Sequence, residues 1–490
     1  MPIVLRRFVV FALVCGMTQF AISQKTTESS AETQQHIKDV VAGLEPSIVV
    51  KGDAHAEHTL SDRMATWHVP GVSIAVIHHG AIEWAKGFGV ATVGGAPVNA
   101  ETLFQAGSIS KPVAAMGTLH LVQEGKLSLD TDVTKTLTSW KLPDAAVAGG
   151  KTVTLRELLT HTGGTTVHGF PGYAAGEPVP TLVQVLDGEK PANTPAIRIE
   201  TAPGTKWNYS GGGFTIMQLM VVDVTKEPYP KFLHDTVLKP IGMTHSTYEQ
   251  PLPAEMRATA ATPYDGKGNA VAGGAHTYPE MAAAGLWTTP TDLCRYLMEV
   301  ELSITGKANH VLTQVMTKEM LTPGMGKWGL GLQIGGADAD PYFGHGGSNA
   351  GFESTMEAYE KDGEGAVVMT NAQGGSRVAD EVMRSIAMVY HWPDFQPKVR
   401  TAVKVDEKIL ETYVGTYELR PNFDLVVTVK DGQLITQATG QGSFPLLAES
   451  ETKFFPTQFE AEIEFVKDDQ GKVTGIVLHQ GGQEMKGARK

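Results

Sequence analysis

Two groups of strand signals stand far apart in this sequence with a long helical stretch between them, and that order admits few architectures. The first group is a hairpin: Val72-Ser73-Ile74-Ala75-Val76-Ile77, a turn at His78-His79-Gly80, then Ile82 to Val90. β-Branched runs on either side of a glycine-bearing turn carry that reading. From about Lys111 to Val315 the pattern is mainly helical, with long loops containing Gly and Pro. Strands return at Phe352 to Tyr359 and Gly365 to Thr370, and a helical pattern follows over Arg377 to Tyr390. Upstream, His36 to Leu44 and Leu60 to Trp67 read as helices after a loose polar stretch, Gln24 to Gln35. Helices at both ends and inside a split set of strands predict an α/β (α+β) fold. Its form is an antiparallel sheet flanked by helices, with an all-helical subdomain inserted.

The texture changes near the C-terminus. Residues 393–404 hold two prolines and read as a linker after Trp392. From Val405 short alternating runs take over: Tyr413 to Glu418, Leu425 to Val429, Leu434 to Gln437, Ile463 to Val466 and Val473 to Leu478. Asp431-Gly432 and Gln470-Gly471 separate them as turns. Several short strands at close spacing predict a small β-barrel or sandwich over 405–490. The body of the chain, 24–392, is then one unit, preceded by a leader at 1–23.

Residues 1–23 read as a secretory signal: Arg6 and Arg7, an apolar run from Phe8 to Gly16, and the small-residue pattern Ala21-Ile22-Ser23 before Gln24. The run is shorter than the roughly 18 apolar residues of a membrane span. A lipid anchor at Cys15 fits less well, given Ala12 and Val14 before it. The chain is therefore expected to be periplasmic or secreted, with no stable membrane span. The net charge is −13 and no Lys/Arg cluster stands out, which argues against nucleic acid as a partner. Only Cys15 and Cys294 are present, so a processed chain has one thiol and no internal disulfide. Cys294 lies in an amphipathic helical stretch and reads as a buried structural residue.

The sharpest chemical feature is Gly107-Ser108-Ile109-Ser110-Lys111. At a helix start, residues i and i+3 share a face, so the Ser108 hydroxyl and Lys111 amine can meet. Serine is a poor nucleophile until a neighbouring base takes its proton, and a desolvated lysine can serve as that base. Alone, the pattern also describes a capping serine followed by a surface lysine. Two segments downstream change the reading: Pro203-Gly204-Thr205-Lys206-Trp207-Asn208-Tyr209-Ser210-Gly211-Gly212-Gly213, and Phe343-Gly344-His345-Gly346-Gly347-Ser348-Asn349-Ala350-Gly351-Phe352, the latter just before a strand. By order and spacing the three segments resemble the motifs of the serine β-lactamase and penicillin-binding protein superfamily, especially class C β-lactamases and their esterase and D-amino-acid peptidase relatives. Val69 to Val76, Leu155 to Gly163 and Ala283 to Trp287 support the likeness, which spans roughly 60–390.

The resemblance implies a serine hydrolase working through an acyl-enzyme on a small-molecule or peptide acyl substrate. It makes Ser108 the nucleophile, Lys111 the group that removes its proton and Tyr209 the proton carrier to the leaving group. The backbone N–H groups of Ser108 and Ser348 form the oxyanion hole, and His345, Gly346 and Gly347 border the substrate. No cofactor is implied. Two departures matter. Gly211 stands where the family usually has asparagine, and His345 where many β-lactamases have lysine. Both weaken the recognition of a β-lactam or peptide carboxylate and favour an esterase or aminopeptidase-like activity. A β-lactamase or D-alanyl-D-alanine carboxypeptidase is the alternative, and a non-catalytic penicillin-binding sensor on the same fold is the rival of another class.

Other motifs are weaker. Gly346-Gly347-Ser348-Asn349-Ala350 misses the last glycine of a G-x-S-x-G elbow. His161 with His168, and His78 with His79, lack metal-ligand spacing and read as surface or loop histidines, so no metal is expected. Substrate choice is expected to lie in the loops Thr165 to Pro195 and Pro263 to Tyr278. Gly415-Thr416-Tyr417, Gly440-Gln441-Gly442 and Leu478 to Gly482 resemble the lipocalin-like β-domain attached to some of these hydrolases. For that unit a packing role, a homo-oligomer interface and a ligand site all stay open.

Overall fold

The computed structural model describes residues 30–52, 58–143, 152–337, 339–480 and 483–490. The expected leader, 1–23, lies outside them. Its central sheet has the strand order β3-β2-β9-β8-β7-β6, every pair antiparallel. The strands are β2 (Gly71–His78), β3 (Ala81–Gly89), β6 (Gln333–Ala337), β7 (Asp340–Asn349), β8 (Phe352–Tyr359) and β9 (Gly365–Thr370). β1 (Ile48–Val50), β4 (Phe104–Gln105) and β5 (Trp287–Thr288) lie outside this sheet. The hairpin turn between β2 and β3 has His79 at φ 52° and Gly80 at φ 74°, the left-handed pair that matches strand twist.

β2 and β9 are buried on both faces, which explains their unbroken apolar runs. Val72, Ile74 and Val76 face α1 (Ala31–Ala42), α2 (Leu60–Thr66) and α11 (Gly375–Val389). Ala75, Ile77, Val367 and Met369 face the helical insertion. α11 meets the sheet through Val378, Val382 and Ile386, the four-residue spacing of one helix face. The insertion carries α3 (Ser110–Gln123), α4 (Leu155–Leu159), α5 (Leu182–Asp187), α6 (Gly211–Thr225), α7 (Tyr229–Leu233), α8 (Met281–Ala284), α9 (Pro290–Ile304) and α10 (Gln314–Leu321). α3 and α6 are apolar nearly all round because both run through the core.

Three expectations are corrected. α1 starts at Ala31, not His36, because the Ser30 side chain caps it by accepting from the Thr33 N–H. The segment around His345 does precede a strand, β8, but it is not only a lead-in, since it forms the strand β7 itself. Its glycines hid the strand from a reading based on β-branched residues. The stretch 393–404 is not a bare tether. It contains β10 (Lys398–Arg400), which pairs in parallel with β1.

Beyond it, α12 (Glu407–Tyr413) leads into a closed eight-stranded barrel. Its strands are β11 (Gly415–Arg420), β12 (Phe423–Lys430), β13 (Gln433–Ala438), β14 (Ser443–Ala448), β15 (Lys453–Phe455), β16 (Glu462–Lys467), β17 (Val473–Gln480) and β18 (Gln483–Arg489). Closure leaves no unpaired edge. The barrel leans on the first unit where Phe455 covers Ile48 and Val50, and where Arg400 reaches Glu449 at 2.9 Å and Glu462 at 3.0 Å. No helix among the described residues is long and apolar enough to cross a membrane.

Cys294 is fully buried on α9 between Leu293 and Leu297, and burial pushes its thiol far above the ordinary range. Since the thiolate is the reactive form, iodoacetamide is expected to leave Cys294 unmodified in the native protein. It should alkylate Cys294 fully once the chain is unfolded in guanidinium. Peptide mapping checks this, and native labelling at the unfolded rate would contradict the buried placement.

Candidate active site

Ser108 sits in a short 3-10 turn, Gly107–Ile109, that runs straight into α3. The geometry brings the Lys111 amine within 3.0 Å of the Ser108 Oγ. Ser110, given no role by its place in the motif, holds this turn together. Its hydroxyl donates to the Gly107 carbonyl at 2.6 Å and accepts from the Leu286 N–H at 2.9 Å. Pro112 is harmless because the first turn of a helix has no partner for its missing N–H.

Lys111 is only 2% exposed and faces no carboxylate. Its amine donates to the Ala283 carbonyl at 2.8 Å, which explains why the Ala283-Ala284-Gly285-Leu286-Trp287 segment accompanies the motif. It lies 5.0 Å from the centre of the Tyr209 ring and 5.7 Å from that of Phe214. Burial alone lowers its pKa to about 7, because a charged ammonium there loses its water.

Tyr209 stands just before α6, and burial raises its phenol pKa, an effect opposed by a hydrogen bond with Ser108. The ring lies tilted at 4.2 Å, centroid to centroid, against His161, a residue that the sequence alone places on a surface or in a loop. His161 does stand in a turn after α4, with φ at +57°, but it is 2% exposed, so the surface placement is corrected. Its Nδ1 accepts from the Ser210 N–H at 3.1 Å, so the neutral ring carries its proton on Nε2, which has no partner. Burial and then the Lys111 charge hold its pKa well below the usual value. Its signal in the sequence is the Leu155 to Gly163 segment, which carries part of the family likeness. Trp328, also missed, closes the aromatic wall at 5.1 Å from His161 and 5.4 Å from His345.

β7 supplies the opposite wall. Gly107 (φ +53°) lies so near β7 that a Cβ on it would fall 2.5 Å from the Ser348 nitrogen. A Cβ on Gly347 would fall 1.9 Å from the Ala106 carbonyl oxygen. Two glycines facing each other thus let the Ser108 turn touch the strand. The Asn349 amide pins the strand end, donating to Gln105 at 2.9 Å and the Ala284 carbonyl at 3.0 Å. His345 points towards Lys111 and is 4% exposed. Its Nδ1 donates to the Gly346 carbonyl at 2.5 Å, leaving Nε2 as an unpartnered acceptor. Burial, then the Lys111 charge, brings its pKa down to about 3, so the ring is neutral.

These groups surround a cleft of about 610 Å³ lined by Ser108, Tyr209, His345, Gly346, Gly347 and Ser348. His168 and Gly169 from the first expected specificity loop also line it, and the His168 Nδ1 donates to the Tyr209 carbonyl at 2.9 Å. The second expected loop does not reach it; Pro263 and Gly273 to Thr277 border a separate cavity. His78 and His79 do come together with Glu364, their ligating atoms within 4.8 Å of one another. That group lies at the opposite end of the sheet from Ser348, by strand register.

Gly211 has a physical reason. A Cβ there would meet the Phe170 ring at 2.8 Å and the His168 carbonyl oxygen at 3.2 Å. Gly211→Asn, which restores the common family residue, is therefore expected to lower the melting temperature by several degrees. Adding Phe170→Ala should recover part of that loss relative to Phe170→Ala alone. Thermal unfolding of the two single variants and the double variant tests the coupling; additive losses would remove this explanation.

Comparison with known proteins gives the family and the fold. The family model described as Beta-lactamase matches residues 56–388, and a domain of unknown function, DUF3471, matches 399–489. Protein flp of Staphylococcus aureus (strain N315) is 27% identical over 184 residues, 37% of this chain and 36% of that protein. The match thus spans about a third of that relative's length. A putative penicillin-binding protein, PbpX of Bacillus subtilis (strain 168), is 26% identical over 62% of this chain and 71% of its own. Among solved structures, the octameric penicillin-binding protein homologue from Pyrococcus abyssi aligns with a TM-score of 0.57 at 22% identity. That alignment covers 87% of this chain and 98% of the homologue, so the fold likeness extends through the barrel. With the family model covering most of the first unit and the Ser108–Lys111 pair in its cleft, the chain belongs to the β-lactamase family, within the superfamily of serine hydrolases that includes the penicillin-binding proteins.

Proposed function

We propose that the chain hydrolyses ester or amide substrates through an acyl-enzyme on Ser108, with neutral esters as the preferred class. The observation that carries this reading is the Lys111 amine, 3.0 Å from the Ser108 Oγ and with its pKa lowered to about 7. The neutral amine takes the Ser108 proton as Oγ bonds to the acyl carbon. The N–H groups of Ser108 and Ser348 receive the oxyanion, a type of contact worth roughly 2.7–4 kcal/mol when a donor is removed. A phenol with a raised pKa stays protonated at neutral pH, so Tyr209 suits proton donation to the leaving group. The Lys111 ammonium then reprotonates Tyr209. Water repeats the sequence in reverse: it attacks the ester carbon, gives up a proton to the same pair, and Ser108 leaves with its hydrogen restored.

The ester preference rests on His345 and Gly211. A neutral imidazole with a free Nε2 can accept a hydrogen bond but cannot neutralise a carboxylate. Gly211 offers no side-chain amide to a peptide. β-Lactam hydrolysis or D-alanyl-D-alanine carboxypeptidase activity is the alternative outcome of the same chemistry. We also propose export through residues 1–23, and a homo-oligomer, held through the barrel unit; the octameric state of the Pyrococcus abyssi homologue supports the oligomer itself.

Exposure to a fluorophosphonate, a p-nitrophenyl ester and a penicillin, followed by intact-mass and peptide mapping, tests the reading. The adduct is expected on Ser108 and absent in Ser108→Ala. Lys111→Ala and Tyr209→Phe should slow acylation by roughly 10²–10⁴-fold without unfolding the protein. The Lys111 amine must be unprotonated to act, so kcat/KM is expected to rise with pH to a plateau above about 7. His345→Lys should raise activity on carboxylate-bearing substrates relative to neutral esters and move the rising limb to lower pH. An adduct elsewhere, or full activity in Ser108→Ala, removes the mechanism.

A further inference from the structure

The barrel interior is not filled. At one end α12 and the aromatic side chains close it: Tyr413 stacks on Phe465 at 4.1 Å, with Tyr417 and Phe454 beside them. At the other end a cavity of about 300 Å³ remains, walled by Leu425, Leu446, Ile463, Leu478 and Met485. An eight-stranded barrel is just wide enough to be packed by side chains or to hold one small ligand, and this volume meets the lower end of small-molecule sites.

Arg420, Gln441 and Gln480 also line the cavity but are exposed residues, whereas among its buried wall positions Thr436 alone breaks the apolar pattern. Thr436 points inward on β13, between Val427 on β12 and Phe444 on β14. It is 5% exposed, lines the cavity, and its hydroxyl has no hydrogen-bond partner. An unmet hydroxyl buried among apolar groups costs free energy, whereas valine would fill the same volume on a strand without that cost. Both strand neighbours, Leu434 and Ala438, keep the apolar pattern. The mouth is framed by Phe444 and Phe459, whose rings meet edge to face at 5.0 Å. The same two residues line the cleft between barrel and first unit, together with Arg63, Asp380 and Glu381. Phe444 and Phe459 are thus the wall that the barrel cavity and that cleft share.

We propose that the barrel is a binding site for a neutral apolar molecule carrying one hydrogen-bonding oxygen, such as a medium-chain alcohol, whose oxygen meets Thr436. Apolar walls supply the affinity, since empty apolar cavities of this kind take up apolar ligands. The threonine supplies the orientation. Nothing in this site depends on the chemistry at Ser108.

Calorimetric titration of the full chain with 1-octanol tests the proposal. One saturable site per chain is expected. Thr436→Val should weaken it roughly 3- to 10-fold, the range of one net hydrogen bond. Ala438→Leu and, separately, Leu446→Phe should abolish it by filling the cavity. Circular dichroism and thermal unfolding verify that each variant retains its barrel, and Leu446→Phe, which adds less volume than Ala438→Leu, keeps the test decisive if the larger change does not fold. Absence of saturable binding, or binding unchanged by Ala438→Leu, overturns the site. Unchanged affinity in Thr436→Val overturns the role of the oxygen.

Discussion

A lysine amine buried without a counter-charge is the constraint around which the rest of this molecule is arranged. Bringing the Lys111 pKa from 10.5 to about 7 corresponds to about 5 kcal/mol against the charged form. A surface lysine would escape that cost by moving into water. Lys111 cannot, because α3 is buried along nearly its whole length between the sheet and the insertion. Its amine has one backbone carbonyl, one serine hydroxyl and two aromatic faces for company. A carboxylate in the same place would stabilise the ammonium and remove the base.

The pairing also needs the two halves of the first unit to touch at backbone distance. Side chains on both sides would hold the Ser108 turn away from β7, so the contact is made by Gly107 and Gly347. Asn349 and Ser110 then lock the arrangement from either side, one on the strand and one on the turn. All four belong to the segments that carry the family motifs, and none of them needs to react. Much of such a motif records close packing around the chemistry.

The legible parts of the sequence were those where local chemistry and tertiary structure agree. β2, β3, β8 and β9 are rich in β-branched or aromatic residues, and they appear where those residues stand. β7 was not legible because Gly344, Gly346 and Gly347 carry no strand signal; tertiary contact decides their state. A Cβ on Gly344 would collide with the Glu357 carboxylate, so packing against β8 demands the glycine that conceals the strand. β10 is three residues long and exists only through its pairing with β1, far away in sequence. His161 was misjudged for a related reason: nothing in its neighbours along the chain announces the aromatic wall that buries it. The Ser108, Lys111, Tyr209 and His345 positions were legible because motif spacing survives where periodicity does not.

The electrostatics of the cleft follow a single rule. Burial drives each ionisable group near Lys111 to its neutral form: His161 and His345 fall, and the Tyr209 phenol rises. Glu280, which precedes α8 and has both carboxylate oxygens buried without partners, is lifted to about 8 by the same cause. Neutral neighbours screen nothing and donate no fixed charge. The basicity of Lys111 is thus set by dehydration, which is a property of the whole packed insertion and not of any one contact. The same dehydration keeps the phenol protonated and the imidazoles uncharged. One physical cause therefore leaves an amine, a phenol and two imidazoles neutral together with no carboxylate holding them, in contrast to the Ser-His-Asp arrangement, where an aspartate holds the histidine.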